Sequence, residues 1–305
     1  MTVIVTGGMG FIGSNLVKAL NGQGIDDIYI VDTPRNGSEK NIEGCNYTDI
    51  IDIKDALNSI KKVGQLESIF HQGAISDTTF PDRKKIIKNN FIFSADLYKF
   101  CCDIGADLIY ASSASVYGLG SSGFEEREEC ENPLNYYAES KLMFDHYIRS
   151  KKAKNTQTVG LRYFNVYGQN ENHKLTMASP VNQFCNQSII DGKIKVFKGS
   201  ENYRRDFISV KDIVDINMFF FFNKGIDGIY NCGTGLSHSF MDVAKIISKA
   251  IGGTIEEIPF PEKLKEKYQS YTRANIEKLR KVGYNRPFRV FEEEVRGYAL
   301  EVSAG

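Results

Sequence analysis

The sequence predicts an α/β protein, a doubly wound parallel sheet with a smaller α+β lobe toward the C-terminus. Three observations predict it. Short runs of branched apolar residues alternate with longer helical patterns through the first half of the chain. The first run leads directly into a glycine-rich turn. Beyond Asn165 the loops lengthen, Pro180, Pro259, Pro261 and Pro287 appear, and strands become isolated.

In order along the chain, the first strand is TVIVT at 2–6, followed by the turn and a helix from about Phe11 to Leu20. DIYIVD at 27–32 is the second strand, and SIFH at 68–71, DLIYAS at 107–112 and TVGLRY at 158–163 continue the pattern. These runs are apolar at successive positions, which suits strands covered on both faces. Helices are expected from about Lys84 to Asp103 and from Asn135 to about Lys151. Strand–helix–strand character returns at Phe207–Cys232, which is expected to rejoin the sheet. Residues 1–166 with about 207–236 are therefore read as a dinucleotide-binding domain, and 167–206 with 237–305 as a substrate lobe woven into it.

Composition narrows the function. Lys plus Arg and Asp plus Glu are each 38, so the formal net charge is zero. That balance argues against nucleic-acid and membrane-surface partners, which call for a basic excess. The six cysteines contain no CxxC and no zinc-ligand spacing, so reduced thiols and no metal are expected. The first residues, MTVIVTGGMG, lack a basic segment followed by a long apolar stretch, and a cytoplasmic location is expected.

The segment Val5-Thr6-Gly7-Gly8-Met9-Gly10-Phe11-Ile12-Gly13 places Gly7, Gly10 and Gly13 between a strand and a helix. Such a Rossmann-type turn lets backbone approach a pyrophosphate, and the helix N-terminus offers it free N–H groups. Asp32 ends the second strand nineteen residues after Gly13, where an acid accepts ribose hydroxyls. Asp32 favours NAD, whereas Arg35 and Lys40 beyond it could neutralise the 2′-phosphate of NADP.

The three-apart glycines resemble those of the extended short-chain dehydrogenases/reductases. That resemblance implies a Ser at the end of a middle strand and a Tyr-x-x-x-Lys on the next helix; Ser113, Tyr137 and Lys141 match. Tyr and Lys four apart share a helix face, and a nearby ammonium is expected to favour the phenolate. Tyr137 would move a proton on a substrate oxygen, Ser113 would hydrogen-bond that oxygen, and Lys141 would also hold the nicotinamide ribose. A second match, Tyr147 and Lys151, lacks the serine-bearing strand end and is read as a solvated face.

More specific segments are His173-Lys174-Leu175-Thr176-Met177-Ala178-Ser179 and Phe197-Lys198-Gly199-Ser200-Glu201-Asn202, followed by Arg205-Asp206-Phe207. With His71-Gln72-Gly73-Ala74, Ile258-Pro259-Phe260-Pro261 and Tyr268-Gln269, they resemble the ADP-L-glycero-D-manno-heptose 6-epimerase family over nearly the whole chain. The resemblance implies transient oxidation at C6 of an ADP-heptose, with Tyr137 and Lys174 as the two acid/base groups. It implies NADP, or alternatively NAD, one tightly bound per subunit. Cofactor contacts would come from Phe11, Ile12, Thr33, Lys40, Gln72, Gly73, Ala74, Ile75, Ser76, Asn89, Lys141, Val166 and Lys174. Substrate contacts would come from Ser113, Asn165, Thr176, Gln183, Phe197, Lys198, Gly199, Ser200, Arg205 and Tyr268. A homo-oligomer, a pentamer, is also implied. Gln183 and Thr176 stand where that family has His and Ser, and Gln72 where it commonly has Glu. Thr33 and Glu39 stand where Asn and Lys are frequent, which leaves NAD against NADP open. Other readings are an epimerase or reductase of another nucleotide sugar, and a non-catalytic NAD(P)-sensing regulator.

Overall fold

A computed structural model describes residues 1–151, 155–261 and 269–304. Its elements in chain order begin β1 (Val3–Thr6), α1 (Phe11–Gly22), β2 (Ile28–Val31), β3 (Asp49–Ile51), α2 (Ala56–Ile60) and β4 (Ser68–His71). Then come α3 (Arg83–Ile86), α4 (Phe93–Ile104), β5 (Asp107–Ser113), α5 (Tyr136–Arg149), β6 (Thr158–Tyr163) and β7 (Asn165–Tyr167). The remainder is α6 (Pro180–Asp191), β8 (Lys193–Phe197), β9 (Arg204–Arg205), β10 (Phe207–Ser209), α7 (Val210–Phe222), β11 (Gly228–Cys232), β12 (His238–Ser239), α8 (Phe240–Ile251), β13 (Thr254–Ile258), α9 (Glu277–Lys281) and α10 (Phe291–Ala304).

Seven strands form one sheet in the order β11-β6-β5-β4-β1-β2-β3, and every pairing is parallel. The order reverses between β1 and β4, and the crevice outside their carboxyl ends is where such sheets take ligands. Alternate residues of each strand feed two cores. Val3, Val5, Ile28, Ile30, Phe70 and Ile109 pack with α1 and α7 on one face. Ile4, Val31, Ile69, Leu108 and Tyr110 pack with α2, α4 and α5 on the other. The continuous apolar runs follow from this double cover.

A third cluster joins Tyr167, Val181, Phe184, Ile194, Val196, Phe207, Val243, Ile247, Val295 and Tyr298, drawn from α6, α8, α10 and the strands beside them. Here β8 pairs with β13 in parallel and β9 with β12 antiparallel. Leu279 and Tyr284, late in the chain, pack instead into the α1/α7 core of the large sheet.

Three sequence expectations change. The helix expected over 84–103 is interrupted by a π turn at Ile87–Ile92, whose wider circle leaves Asn90 buried and Asn89 exposed. The segment 207–232 divides: β11 joins the large sheet beside β6, while β10 pairs with β7 outside it. Tyr147 is not a solvated residue, because its ring stacks on Phe144 and meets Phe91 and Tyr98 edge-on. His238 lies in β12, with its ring stacked 3.8 Å from that of Phe291.

Candidate active site

The glycine turn leaves β1 and enters α1 with room for nothing larger than hydrogen. Gly7 has φ +66°, and a Cβ there would lie 2.8 Å from the Gly73 backbone. A Cβ on Gly13 would lie 2.1 Å from the Gly7 carbonyl oxygen. Gly10 closes the turn by donating to that same oxygen at 2.9 Å and is the N-cap of α1, with no side chain capping it. The first amides of α1 therefore point into a cradle of bare backbone, which fits a pyrophosphate. Ile12 turns inward and packs against the α1/α7 core.

Asp32 sits beside this cradle. Its carboxylate accepts from the amides of Met9 at 3.0 Å and Thr33 at 2.8 Å, and burial holds its pKa above the ordinary value. The Thr33 hydroxyl is buried and has no hydrogen-bond partner among the described residues. An orphaned hydroxyl next to a carboxylate at a strand end fits a ribose. Arg35 and Lys40 are exposed beyond it.

The segment 72–76 forms the opposite wall. Gly73 donates its amide to Thr6 Oγ1 at 3.1 Å, and that oxygen also contacts His71 Nδ1 at 2.7 Å. Buried His71 reaches Ser94 through Nε2 at 2.7 Å, and burial pushes its pKa down to about 3, so it is a neutral strut. Gln72 is tied to the Tyr163 hydroxyl at 3.0 Å and to Asn217 at 3.3 Å. Asn90, not Asn89, braces this wall: it accepts from the Ile75 amide at 2.9 Å and donates to the Ile75 carbonyl at 3.0 Å and to Ser140 on α5 at 3.1 Å. Ala74 is half-buried and Ser76 exposed in the same segment.

Asn135 starts α5 by accepting from the Ala138 amide at 2.9 Å, which places Tyr137 in the first turn. Negative charge is favoured there. Ser113, the last residue of β5, hydrogen-bonds the Tyr137 phenol and accepts from Ser115. Lys141 donates to the Ala111 carbonyl at 2.7 Å, and its ammonium lies 5.8 Å from the Tyr137 ring centre. Burial pushes Lys141 down to about 8, with Asp145 pulling the other way. Burial pushes Tyr137 up, and the Ser113 hydrogen bond offsets part of this. The expectation that Lys141 lowers the phenol's pKa is thus corrected. The ammonium is turned to a carbonyl, and burial is the larger influence on Tyr137.

Lys174 reaches the cradle from the loop after β7. Its ammonium lies 5.4 Å from the centre of the Phe11 ring at the start of α1, and burial lowers its pKa while Glu171 raises it. Gln183 on α6 holds this loop, donating to the Thr176 carbonyl at 3.1 Å and the Ala178 carbonyl at 2.7 Å. Thr176 itself is exposed. Val166, in β7 one residue after Asn165, packs partly against the α1/α7 core.

The remaining sequence-named residues form two neighbouring groups. Asn165 donates its amide to the Asp206 carbonyl at 3.1 Å, which brings it beside Arg205. Arg205 is 6% exposed and donates to the Gln269 carbonyl, while Gln269 reaches the Gly118 carbonyl beyond the serine-bearing strand. In the other group the half-buried Phe197 ring lies 5.0 Å from Phe260, Lys198 is exposed, and Gly199 has φ +82°. Among the described residues the buried Ser200 hydroxyl has no hydrogen-bond partner. Tyr268 lies outside the described residues.

Buried Asp206 and Asp145 were not singled out from sequence. Asp206 accepts from the amides of Thr234 (2.7 Å), Gly235 (2.9 Å) and Ala274 (2.9 Å), pinning two loops behind Arg205. Asp145, one turn after Lys141, accepts from Tyr110, Ser112 and Arg162. A polar residue at a strand or helix position predicted to be buried was the available signal. Among the described residues no cluster could hold a metal ion, and no helix is long and apolar enough to cross a membrane.

Residues 3–233 match the sequence pattern of the NAD dependent epimerase/dehydratase family. The chain belongs to that family. It is 49% identical to the ADP-L-glycero-D-manno-heptose-6-epimerase of Brachyspira hyodysenteriae, over 99% of both chains. Its fold superposes on the crystal structure of the Helicobacter pylori ADP-L-glycero-D-manno-heptose-6-epimerase with TM-score 0.88 and 29% identity, covering 100% of this chain and 96% of that one. A UDP-N-acetylglucosamine 4-epimerase from Methanobrevibacter ruminantium, solved with UDP-N-acetylmuramic acid, matches with TM-score 0.84 and 26% identity over 98% and 97%. Members of that family depend on a nicotinamide dinucleotide.

Proposed function

We propose that the chain interconverts ADP-D-glycero-D-manno-heptose and ADP-L-glycero-D-manno-heptose by inverting C6 through a transient ketone. One arrangement carries the reading. Tyr137, beside Ser113 at the end of a sheet strand, and Lys174, set over Phe11 at the start of α1, are read as two separate acid/base groups. Inversion through a ketone needs proton traffic on both faces of one carbon, and a single acid/base group serves only one. The near identity in length and the 49% identity to a named heptose epimerase support the choice of sugar.

When bound, a nicotinamide dinucleotide would supply hydride acceptance and donation at C6. Gly7, Gly10 and Gly13 with the first amides of α1 would hold its pyrophosphate, and Asp32 and Thr33 its adenosine ribose. Gln72 to Ser76, Lys141 and Val166 would flank the rest. Tyr137 and Lys174 each serve one epimer, taking the C6 hydroxyl proton as the ketone forms and returning it as the ketone is reduced. Ser113 fixes the position of that oxygen. Arg205, buried beside Asn165, is suited to the substrate pyrophosphate, since guanidinium binds such oxygens in pairs. Thr176, Gln183 and Phe197 to Ser200 are proposed for the sugar and adenosine. The orphaned Ser200 hydroxyl supports that assignment. The chain would act as a homo-oligomer in the cytoplasm, supplying a lipopolysaccharide core precursor.

The deciding experiment has two readouts. Denaturing the purified protein should release one NADP or NAD per chain, identified by mass spectrometry. Offered ADP-D-glycero-D-manno-heptose without added cofactor, the native protein should invert C6, followed by proton NMR. Bound cofactor with no inversion would remove the sugar assignment.

A further inference from the structure

Among the described residues three that are not glycine have positive φ: Asn36 at 51°, Asn170 at 70° and Leu175 at 51°. All three belong to two loops that hold each other. The first follows β2 and carries Asp32 and Thr33; the second follows β7 and carries Lys174. Asn41 joins them. Its Nδ2 donates to the Met9 carbonyl of the glycine turn at 2.9 Å, to the Asn170 carbonyl at 3.3 Å and to His173 Nδ1 at 3.1 Å. Asn36 donates to the His173 carbonyl at 3.3 Å, and Asn170 to Ser14 Oγ on α1 at 2.9 Å.

Leu175 is the most strained of the three. Its φ/ψ of 51° and −121° suits glycine, and its side chain is 63% exposed, so packing of that side chain does not impose it. The constraint comes from the two flanks. On one side His173 is held by Asn36 and Asn41; on the other Gln183 holds the carbonyls of Thr176 and Ala178. The strained residue lies between those anchors and directly follows Lys174, whose ammonium sits over Phe11.

We propose that Asn41 is a positioning residue that couples the adenosine-ribose end of the dinucleotide site to Lys174. Whatever occupies the space beside Asp32 and Thr33 orders the loop after β2, and the Asn41–His173 contact passes that order to the loop aiming the ammonium. The proposal rests on the dinucleotide reading of the cradle and is independent of the sugar.

NAD and NADP differ only at the adenosine ribose, remote from the nicotinamide, so they separate coupling from direct contact. The full-length chain is loaded with each in turn, occupancy is measured, and the rate of Lys174 acylation by an N-hydroxysuccinimide ester is read by peptide mass spectrometry. In the wild-type chain the two loaded forms should differ at Lys174 at least threefold. In Asn41→Leu the difference should fall below 1.5-fold, with Lys141 labelling unchanged; His173→Ala, a second variant, should behave alike. Equal Lys174 labelling with both dinucleotides in the wild type, or a difference that survives in both variants, would overturn the coupling. Retention of neither dinucleotide would overturn the cofactor reading itself and the coupling with it. Because labelling needs no turnover, failure of the sugar assignment leaves this result standing.

Discussion

The Lys174 ammonium lies 5.4 Å from the centre of the Phe11 ring, so the first residue of α1 supports a group delivered from the far half of the chain. Burial already lowers the pKa of this lysine, which brings it nearer to working range as an acid/base. Lys174→Met should lower the epimerisation kcat by roughly a thousandfold while the chain keeps its dinucleotide. Turnover by NMR and cofactor content by absorbance check both halves. Unchanged turnover would remove Lys174 from its role.

Burial pushes the Tyr137 pKa up, and Ser113 is the hydrogen-bond partner that works against this. Tyr137→Phe should cost roughly a thousandfold in kcat with the cofactor retained. Ser113→Ala should cost less, on the order of a hundredfold, and should move the apparent pKa of the tyrosine upward in the pH profile of kcat. A Ser113 variant with the wild-type profile would leave that serine with binding alone.

Gly13 faces the Gly7 carbonyl so closely that a methyl group would sit 2.1 Å from it. Gly13→Ala should force the turn open, destabilise the fold by about 2 kcal/mol and release the tightly held dinucleotide. Urea unfolding and the absorbance of the purified protein report the two effects. A Gly13→Ala chain that purifies fully loaded would contradict the cradle.

Arg162 is wholly buried and pairs with Glu131 and with Asp145, which projects from the helix that also carries Tyr137 and Lys141. Asp145→Ala should cost about 3–5 kcal/mol, because it strips one partner from a buried guanidinium. Asp145→Asn keeps the shape and removes the charge that holds Lys141 up, so the lysine should titrate below about 8. The corresponding limb of the pH profile should then move to lower pH.

Burial pushes Glu131 up, but its hydrogen bonds to Arg149 and Arg162 outweigh burial and hold it at about 2. A carboxylate with a depressed folded pKa contributes stability that is present above its unfolded pKa near 4.5 and is lost as pH falls toward 2. Its worth at neutral pH is on the order of 3 kcal/mol. Glu131→Gln should therefore destabilise the chain strongly at pH 6 and scarcely at pH 2.5, measured by chemical unfolding at each pH. Equal destabilisation at both would show that the ion pairs are not its source.

The large sheet was legible because β1, β4, β5 and β6 are buried on both faces and read as unbroken apolar runs. β3 was not, since Asp49 and Ile50 are exposed at the sheet edge and supply no run. The π turn escaped for a related reason: Ile87–Ile92 is compatible in pattern with an ordinary helix, and only the pull of Asn90 toward Ile75 and Ser140 shows the wider turn.

By itself the sequence determined the glycine turn, the acid after β2, the serine at a strand end and the Tyr–Lys spacing. Each is a local pattern, set by neighbours a few residues apart and by the periods of helix and strand. Tertiary structure alone decided which charges those groups meet. Lys141 turns to the Ala111 carbonyl, Tyr137 is raised rather than lowered, and Asn41 binds a loop more than 120 residues away. Burial and long-range hydrogen bonds set pKa values and the aim of a side chain, and neither has a signature in residue order.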